Sequence, residues 1–180
     1  MSGTRKISLV ATGGTIEKTY NELDGMLSNR LSNLDVMLAG LELNGIEIVR
    51  ESIMNKDSLD LTAADLDLIG ETVARHVESS DGVVLVHGTD RLAATGRLLH
   101  ARLDRLRTPV VLTGAMRPFE LRHTDATQNL TEALLAVQIL EPGVWCVMHN
   151  RAHRFPDVYK DLDSMTFVPE PPELSKEPIE

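Results

Sequence analysis

Five short, mostly apolar runs constrain the fold of this 180-residue chain more than any other feature. Continuous runs of this length are typical of strands that are buried on both faces of a parallel sheet. The runs are Ile7–Ala11, Ile46–Val49, Gly82–His87, Pro109–Thr113 and Gly143–Met148. Segments with apolar residues at helical spacing lie between them. The alternation predicts an α/β fold, a three-layer sandwich around a mainly parallel sheet with right-handed crossovers.

The predicted helices have recognisable starts. A short helix is predicted over Asn33–Ala39, before Gly40. The residues Thr62-Ala-Ala-Asp65 resemble a capping box with Asp in place of the usual Glu or Gln, and an apolar helical pattern follows them. Two further helices are predicted, one carrying Leu92, Leu98, Leu99 and Leu103, and one beginning at Thr124 or Asp125.

The remaining segments set the predicted domain bounds. Residues 17–33 are polar and predict a long loop, and a second loop is predicted through Asn55, Asp57 and Ser58. One α/β domain is predicted over residues 1–168. Residues 169–180 are rich in proline and glutamate, which favours an extended or disordered tail or, alternatively, a linker between domains.

Composition narrows the class of partner. The formal net charge is -9, from 18 basic and 27 acidic residues, which argues against nucleic acid as a partner. The single cysteine, Cys146, allows no internal disulfide and fits a reducing compartment. No apolar stretch approaches the roughly 20 residues that cross a bilayer. We expect a cytoplasmic protein that binds neither nucleic acid nor a membrane.

Small and reactive groups follow four of the predicted strands. Glycine stands next to a hydroxyl or another small residue in Thr12-Gly-Gly-Thr15, Gly88-Thr89-Asp90 and Gly114-Ala115, and Asp57-Ser58 follows the second strand. Because the carboxyl ends of parallel strands share one edge, these groups predict a site for a small polar ligand. A phosphate loop is a weaker interpretation, since no lysine directly follows the glycine pair.

A threonine hydroxyl at this edge would need a base to act as a nucleophile. Candidates are the phenol of Tyr20 and a lysine held by a carboxylate, such as Lys160 between Asp157 and Asp161. From the residues alone, Tyr20 could equally be a loop aromatic and Lys160 a solvated surface lysine. Thr89-Asp90 could be a helix cap. The six histidines match no zinc spacing, so no metal site is predicted, and His87 is expected to satisfy local hydrogen bonds.

Four motifs in order resemble those of one family. Ala11–Ile16 and Val86–Asp90 are similar to the two signature motifs of bacterial-type L-asparaginases. Thr113–Pro118 is similar to the family's ending of the fourth strand, and Asp157–Lys160 resembles the segment that carries its catalytic lysine. The resemblance covers roughly residues 5–168. It implies an asparagine amidohydrolase that forms L-aspartate and ammonia without a cofactor, with some glutaminase activity.

The resemblance also implies roles for individual residues. Thr15 matches the nucleophile, and Tyr20 matches the tyrosine that helps to activate it. Thr89, Asp90 and Lys160 match a second triad, in which the lysine takes a proton from the threonine or from water.

The same resemblance implies a substrate-binding set. Asp90 matches the carboxylate that takes the substrate ammonium, and Ser58, next to Asp57, matches the residue that binds the α-carboxylate. Ala115 matches a residue whose backbone lies against the substrate amide. Donors to the tetrahedral oxyanion are expected from the segments Gly14-Thr15 and Gly88-Thr89.

Three departures from the family pattern are visible. Leu59 follows Ser58 where a polar residue is frequent, so we expect weaker binding of the amino-acid end of the substrate. Arg91 follows Asp90 where threonine is usual, so we expect an altered charge around the pocket. Usual members are longer by a second domain, and we expect a short-chain form that assembles as a homo-oligomer, a dimer or tetramer. Two other functions stay open: a domain or subunit of a tRNA-dependent amidotransferase, and a non-catalytic amino-acid-binding domain.

Overall fold

The computed structural model describes residues 3–21, 23, 25–28 and 33–169. Its main element is a six-stranded sheet with the order β4-β1-β5-β6-β7-β8. The strands within the described residues are β1 Arg5–Gly13, β2 Thr19–Asn21, β3 Met26–Ser28, β4 Ile46–Lys56, β5 Gly82–Val86, β6 Pro109–Thr113, β7 Gly143–Met148, β8 Arg151–Arg154, β9 Tyr159–Asp161 and β10 Thr166–Val168. Neighbouring strands are parallel from β4 through β1, β5 and β6 to β7, and β8 is antiparallel to β7.

Helices cover the two faces of the sheet: α1 Leu34–Ala39, α2 Ala63–Ser79, α3 Thr89–Arg102 and α4 Ala126–Ile139. Successive residues of β1 point to opposite faces, so Leu9 packs with α1 and α4 while Val10 packs with α2 and α3. Two separate buried clusters result, one on each face. This is the three-layer α/β arrangement that the strand and helix pattern predicts.

The strand order positions the site. The chain runs from β1 outward to β4 and then returns past β1 to β5, so the direction of winding changes between β1 and β5. In open α/β sheets, ligands bind in the crevice at the carboxyl ends of the strands at such a point. The glycine-rich loops after β1 and β5 therefore face each other where a ligand is expected.

The capping box at the start of α2 is confirmed. The backbone N–H of Asp65 donates to Thr62 Oγ1 at 3.2 Å, and the backbone N–H of Thr62 donates to Asp65 Oδ2 at 2.8 Å. Lys56 Nζ lies 2.8 Å from both Asp65 carboxylate oxygens, and these hydrogen bonds lower the pKa of Asp65 to about 2.

Replacing Thr62 with alanine is expected to lower the free energy of unfolding by about 1 kcal/mol, because an N–H group at the helix start loses its acceptor. Urea denaturation followed by circular dichroism measures the change. Thr131→Ala is the matched control, since Thr131 lies inside α4 and its exposed hydroxyl bonds only the Thr127 carbonyl one turn back. An equal loss in both variants would contradict a capping role.

The structure differs from the sequence prediction in three segments. The second predicted strand, which is β4 in the structure, continues to Lys56 and so includes Asn55, a residue predicted in a loop. Within the polar segment 17–33, β2 pairs with β3 in an antiparallel hairpin. Strand β8 and the hairpin β9–β10 follow the last predicted strand. Residues 22, 24 and 29–32 of the predicted loop, and residues 170–180 of the predicted tail, lie outside the described residues.

None of the helices in the described ranges combines the length and the apolar character that a membrane crossing requires.

Cys146 is fully buried on β7, and burial raises the pKa of its thiol. It fills space as a small apolar residue.

Candidate active site

Three of the predicted site residues meet at the carboxyl edge of the sheet. Lys160 Nζ donates to Thr89 Oγ1 at 2.9 Å and to Asp90 Oδ1 at 2.6 Å. Thr89 is 4 % exposed, and the Lys160 side chain is 13 % exposed. The amine therefore lies between a hydroxyl and a carboxylate in a largely enclosed position, an arrangement in which a proton can pass between lysine and threonine.

The start of α3 supplies two members of this group. Gly88 is the N-cap of α3, and Thr89 and Asp90 are the first helical residues. The free N–H groups and the dipole of the helix favour negative charge at this end. Thr89 and Asp90 lie 71 and 70 positions from Lys160 in the chain, so only the tertiary fold brings them together.

The segment that carries Lys160 is held against α3 by packing and a hydrogen bond. The Phe155 ring occupies the space above Gly96, where a Cβ would lie 2.0 Å from a ring carbon. Arg97 donates to the Val158 carbonyl at 2.7 Å, and its guanidinium lies 5.6 Å from the centre of the Tyr159 ring. These contacts fix the position of β9, and with it the direction of the lysine side chain.

Glycines allow the loops after β1 and β5 to touch. A Cβ on Gly14 would lie 2.5 Å from Gly88 Cα, and Gly14 has a φ of 84°, which favours glycine. A Cβ on Gly88 would lie 2.7 Å from both Cβ and Oγ of Ser58. Gly88 therefore lies close to both Gly14 and Ser58, as expected for residues that share one ligand.

Ser58 and Asp57 lie at the end of β4. Ser58 is 2 % exposed, and its hydroxyl accepts a hydrogen bond from the backbone N–H of Arg91 at 3.3 Å. Lys18 donates to Asp57 Oδ2 at 2.7 Å. This hydrogen bond lowers the pKa of Asp57 against the opposing effect of partial burial, and the positive charge of Lys160 contributes in the same direction.

Thr15 is the first residue of a 3-10 turn, Thr15–Glu17, and Tyr20 lies three residues after that turn. Thr15 opens the turn directly after Gly14, is half-buried, and its carbonyl accepts from the Lys18 N–H at 3.2 Å. Tyr20 lies on β2 with 58 % of its surface exposed. Among the described residues, no hydrogen bond joins the Tyr20 phenol to Thr15. The activating role of Tyr20 stays a prediction.

Ala115 is fully buried after β6, and a network that the sequence analysis missed holds its loop. The carboxylate of Asp125 accepts from the backbone N–H groups of Met116 and Arg117, both at 2.9 Å. Asn129 Nδ2 donates to Asp125 Oδ2 and to the Gly114 carbonyl, both at 2.9 Å. The four-residue spacing of Asp125 and Asn129 at the start of a helix is a sequence signal that could have revealed it.

His149 completes this network at the end of β7. Its Nε2 lies 2.8 Å from Asp125 Oδ2, and its Nδ1 lies 2.9 Å from Thr166 Oγ1. Burial favours the neutral form of Asp125, but the hydrogen bonds from Met116, His149 and Arg117 outweigh it and lower the pKa of the carboxyl group. A buried carboxylate thus fixes the backbone next to Ala115.

The two departures in residue type have different outcomes. The Arg91 guanidinium is held by a hydrogen bond, in which its Nη1 donates to the Leu61 carbonyl at 3.1 Å. Leu59 is 60 % exposed.

His87 is fully buried and bonds the Gly88 carbonyl through Nδ1 at 2.7 Å and Thr95 through Nε2 at 3.0 Å, which confirms its structural interpretation. Burial lowers the pKa of His87.

Comparison with known proteins identifies the family. A family model for the N-terminal domain of asparaginases matches residues 6–166. The chain belongs to the asparaginase family. The L-asparaginase of Thermococcus kodakarensis is 35 % identical over 148 residues, which are 81 % of this chain and 44 % of that protein. Its solved structure superposes with a TM-score of 0.81 at 31 % identity, over 91 % of this chain and 50 % of the other.

Two further proteins are similar as well. A subunit of the glutamyl-tRNA(Gln) amidotransferase of Thermoplasma acidophilum is 36 % identical over 133 residues, 73 % of this chain and 32 % of that protein. The solved structure of a "probable cytoplasmic L-asparaginase" from Campylobacter jejuni superposes with a TM-score of 0.74 at 28 % identity, over 87 % of this chain and 48 % of the other. The chain spans half or less of the length of these relatives.

Proposed function

We propose that this protein is an amidohydrolase that converts L-asparagine to L-aspartate and ammonia, with minor activity on L-glutamine. The observation that carries the proposal is the contact of Lys160 Nζ with both Thr89 Oγ1 and Asp90 Oδ1 at the edge where ligands bind. A lysine in contact with a buried hydroxyl is suited to proton transfer, which hydrolysis requires. Family membership supports the same chemistry.

In the proposed reaction, the Thr15 hydroxyl attacks the side-chain amide carbon. The bond from Thr15 Oγ to that carbon forms as the hydroxyl loses its proton, with Tyr20 assisting. Backbone N–H groups of the segments Gly14-Thr15 and Gly88-Thr89 stabilise the oxyanion. The C–N bond then breaks, and the leaving nitrogen takes a proton and departs as ammonia. Thr89 and Lys160 activate the water that releases aspartate from the ester.

Binding of the amino-acid end is proposed for the residues between β4 and α3. The Asp90 carboxylate takes the substrate ammonium, and the Ser58 hydroxyl, beside Asp57, takes the α-carboxylate. Ala115 offers backbone to the side-chain amide. A zwitterionic substrate needs one acidic group and neutral donors, and this edge supplies both. The proposal needs no cofactor and assumes a homo-oligomer, a dimer or tetramer, in the cytoplasm, the location given for the Campylobacter relative.

The test of the proposal is ammonia release from the purified full chain. Asparagine, glutamine and a dipeptide with a C-terminal asparagine amide are each supplied at several concentrations. The expected order of kcat/KM is asparagine, then glutamine, then the peptide amide. An absence of ammonia release with asparagine, together with saturable asparagine binding by calorimetry, would overturn the hydrolase and favour an amino-acid-binding domain.

A role as a domain or subunit of a tRNA-dependent amidotransferase is the second candidate, favoured by the similarity to the Thermoplasma amidotransferase subunit. It predicts that the isolated chain releases ammonia slowly, and that a partner subunit with charged tRNA stimulates release. A rate with free asparagine that does not change when the RNA and partner are added favours the asparaginase. The net charge of -9 also argues against direct RNA contact by this chain.

Replacing Gly88 with alanine is expected to lower kcat/KM for asparagine about 10- to 100-fold, because the new Cβ would displace Ser58 from the crevice. Steady-state ammonia assays measure this effect. Gly3→Ala is the matched control, since a Cβ at Gly3 meets nothing within 4 Å. Wild-type kinetics in Gly88→Ala would argue against substrate contact at Ser58.

A further inference from the structure

A cavity of about 590 Å3 opens beside the candidate active site, and nothing in the proposed reaction of asparagine uses it. The loop after β6 forms one wall, with Met116 and Arg117. The turn between β9 and β10 forms another, with Met165. The volume lies in the range of pockets that bind small molecules.

The cavity shares both of these walls with the candidate active site. Met116 directly follows Ala115, the residue proposed to lie against the substrate amide. Thr166, also in the cavity lining, pairs with Asp161, and the neighbouring pair of the same hairpin is Lys160 with Phe167. The segments that carry Ala115 and Lys160 therefore also line the cavity, with Lys160 on the face of the hairpin opposite to Thr166.

Sheet order gives the direction in which the cavity lies. Ser58 follows β4 and Asp90 follows β5, so the amino-acid end of the substrate is proposed on that side. Ala115 follows β6, and the cavity continues toward the end of β7 at His149. Along the order β4-β1-β5-β6-β7, the sequence is amino-acid end, then amide, then cavity. A substituent on the amide nitrogen would enter the cavity.

Charge defines what that substituent carries. Arg117 and Arg151 both line the cavity, and none of the lining residues in the described ranges is acidic. No carboxylate among the described residues forms an ion pair with Arg151, while Arg117 Nε lies 3.8 Å from Asp125 Oδ1. Among the residues that the structure describes, the two guanidinium groups outnumber the one carboxylate, Asp125, that pairs with them, in a chain of net charge -9. Guanidinium groups bind carboxylates through paired hydrogen bonds.

The back of the cavity is fixed in place. Both ring nitrogens of His149 are hydrogen-bonded, to Asp125 and Thr166. His149 and Met165 have φ values of 53° and 50°, a backbone conformation that side-chain-bearing residues rarely adopt. Residues held this way cluster at ligand-binding positions.

We propose that this protein also hydrolyses β-aspartyl peptides, in which the amide nitrogen carries an amino acid whose carboxylate binds Arg117 and Arg151. This inference rests on the proposed amidohydrolase function. The Thr15 oxygen bonds to the β-carbonyl carbon, and the C–N bond breaks. The leaving nitrogen takes the proton and departs as a free amino acid instead of ammonia. Water then cleaves the ester and releases aspartate.

The test compares β-aspartyl-glycine with β-aspartyl-glycinamide, which differ only in the terminal carboxylate. Release of glycine or glycinamide by the full chain is followed by chromatography. We expect kcat/KM to be at least about tenfold higher for β-aspartyl-glycine than for β-aspartyl-glycinamide, because only the carboxylate forms charge-assisted hydrogen bonds with the two arginines. In the Arg117→Gln/Arg151→Gln double variant, the ratio should fall to about one.

Arg154→Gln is the matched control. Arg154 lies on β8 like Arg151, but it pairs with Trp145 near the start of β7, whereas Arg151 pairs with Met148 at the end. The Arg154 guanidinium lies 5.5 Å from the centre of the Trp145 ring. Its ratio should equal that of the wild type. Hydrolysis of asparagine without cleavage of either peptide overturns this inference alone, as do equal rates for the two peptides. Failure to hydrolyse asparagine and both peptides overturns the proposed function and this inference with it.

Discussion

Replacing Lys160 with methionine is expected to lower the turnover of asparagine by roughly a thousandfold or more. Methionine fills similar space but removes the amine that contacts Thr89 Oγ1 at 2.9 Å and Asp90 Oδ1 at 2.6 Å. Thr89 then has no group to take its proton, and Asp90 loses its counter-ion. Ammonia release at saturating asparagine measures the effect on kcat.

Lys56→Met is the matched control for this change. Lys56 also forms an ion pair, with Asp65 at 2.8 Å, and it lies on β4 outside the proposed proton path. Its loss should leave kcat within a few-fold of the wild type. Near-wild-type turnover in Lys160→Met would mean that the second triad is wrongly assigned, and equal losses in the two variants would reduce the effect to the loss of an ion pair.

Thr15→Ala should have the largest effect, a loss of several orders of magnitude in kcat, because the variant has no hydroxyl to form the ester. Thr15→Ser should keep a measurable part of the rate, since it preserves the hydroxyl. The control is Thr127→Ala, an exposed threonine near the start of α4. Substantial turnover in Thr15→Ala would remove Thr15 from the nucleophile position.

The identity of the nucleophile can also be tested directly, because two threonines are candidates by geometry. Thr89 is the one whose hydroxyl contacts Lys160. Rapid acid quenching during turnover, followed by digestion and mass spectrometry, should find the aspartyl ester on the peptide that contains Thr15. An ester on the peptide that contains Thr89 would exchange the roles of the two residues.

The central strands could be predicted because they are buried on both faces, which makes their sequences continuously apolar. Val83–Val86 and Val110–Leu112 are fully buried and were found within a residue or two of their bounds. Edge strand β4 was predicted too short, because its later part is half-exposed and carries polar residues such as Glu51 and Asn55. The three-residue strands of the hairpins are too short to show any periodicity.

The position of the candidate site could be predicted from the sequence, but the contacts within it could not. Glycine beside hydroxyl at the strand ends points to a ligand, but the sequence contains no sign of the distance between Thr89 and Lys160. The family resemblance linked them, and the structure finds the contact. The Asp125–Asn129–His149 network was missed although Asp125 and Asn129 are one helical turn apart, because His149 lies 24 positions from Asp125. The Lys18–Asp57 pair was missed because nothing in the sequence around either residue indicates that the two side chains meet.

The docking of β9 on α3 through Phe155 and Arg97 has a consequence for when the protein becomes active. Lys160 follows all five parallel strands in the chain, and the segment around it contributes Phe155, Val158 and Phe167 to a buried cluster. A molecule in which this segment has separated from α3 loses the contacts of Lys160 with Thr89 and Asp90, so we expect it to be inactive. Hydrogen exchange at the β9 amides should therefore report the competent fraction of molecules better than any global measure of unfolding.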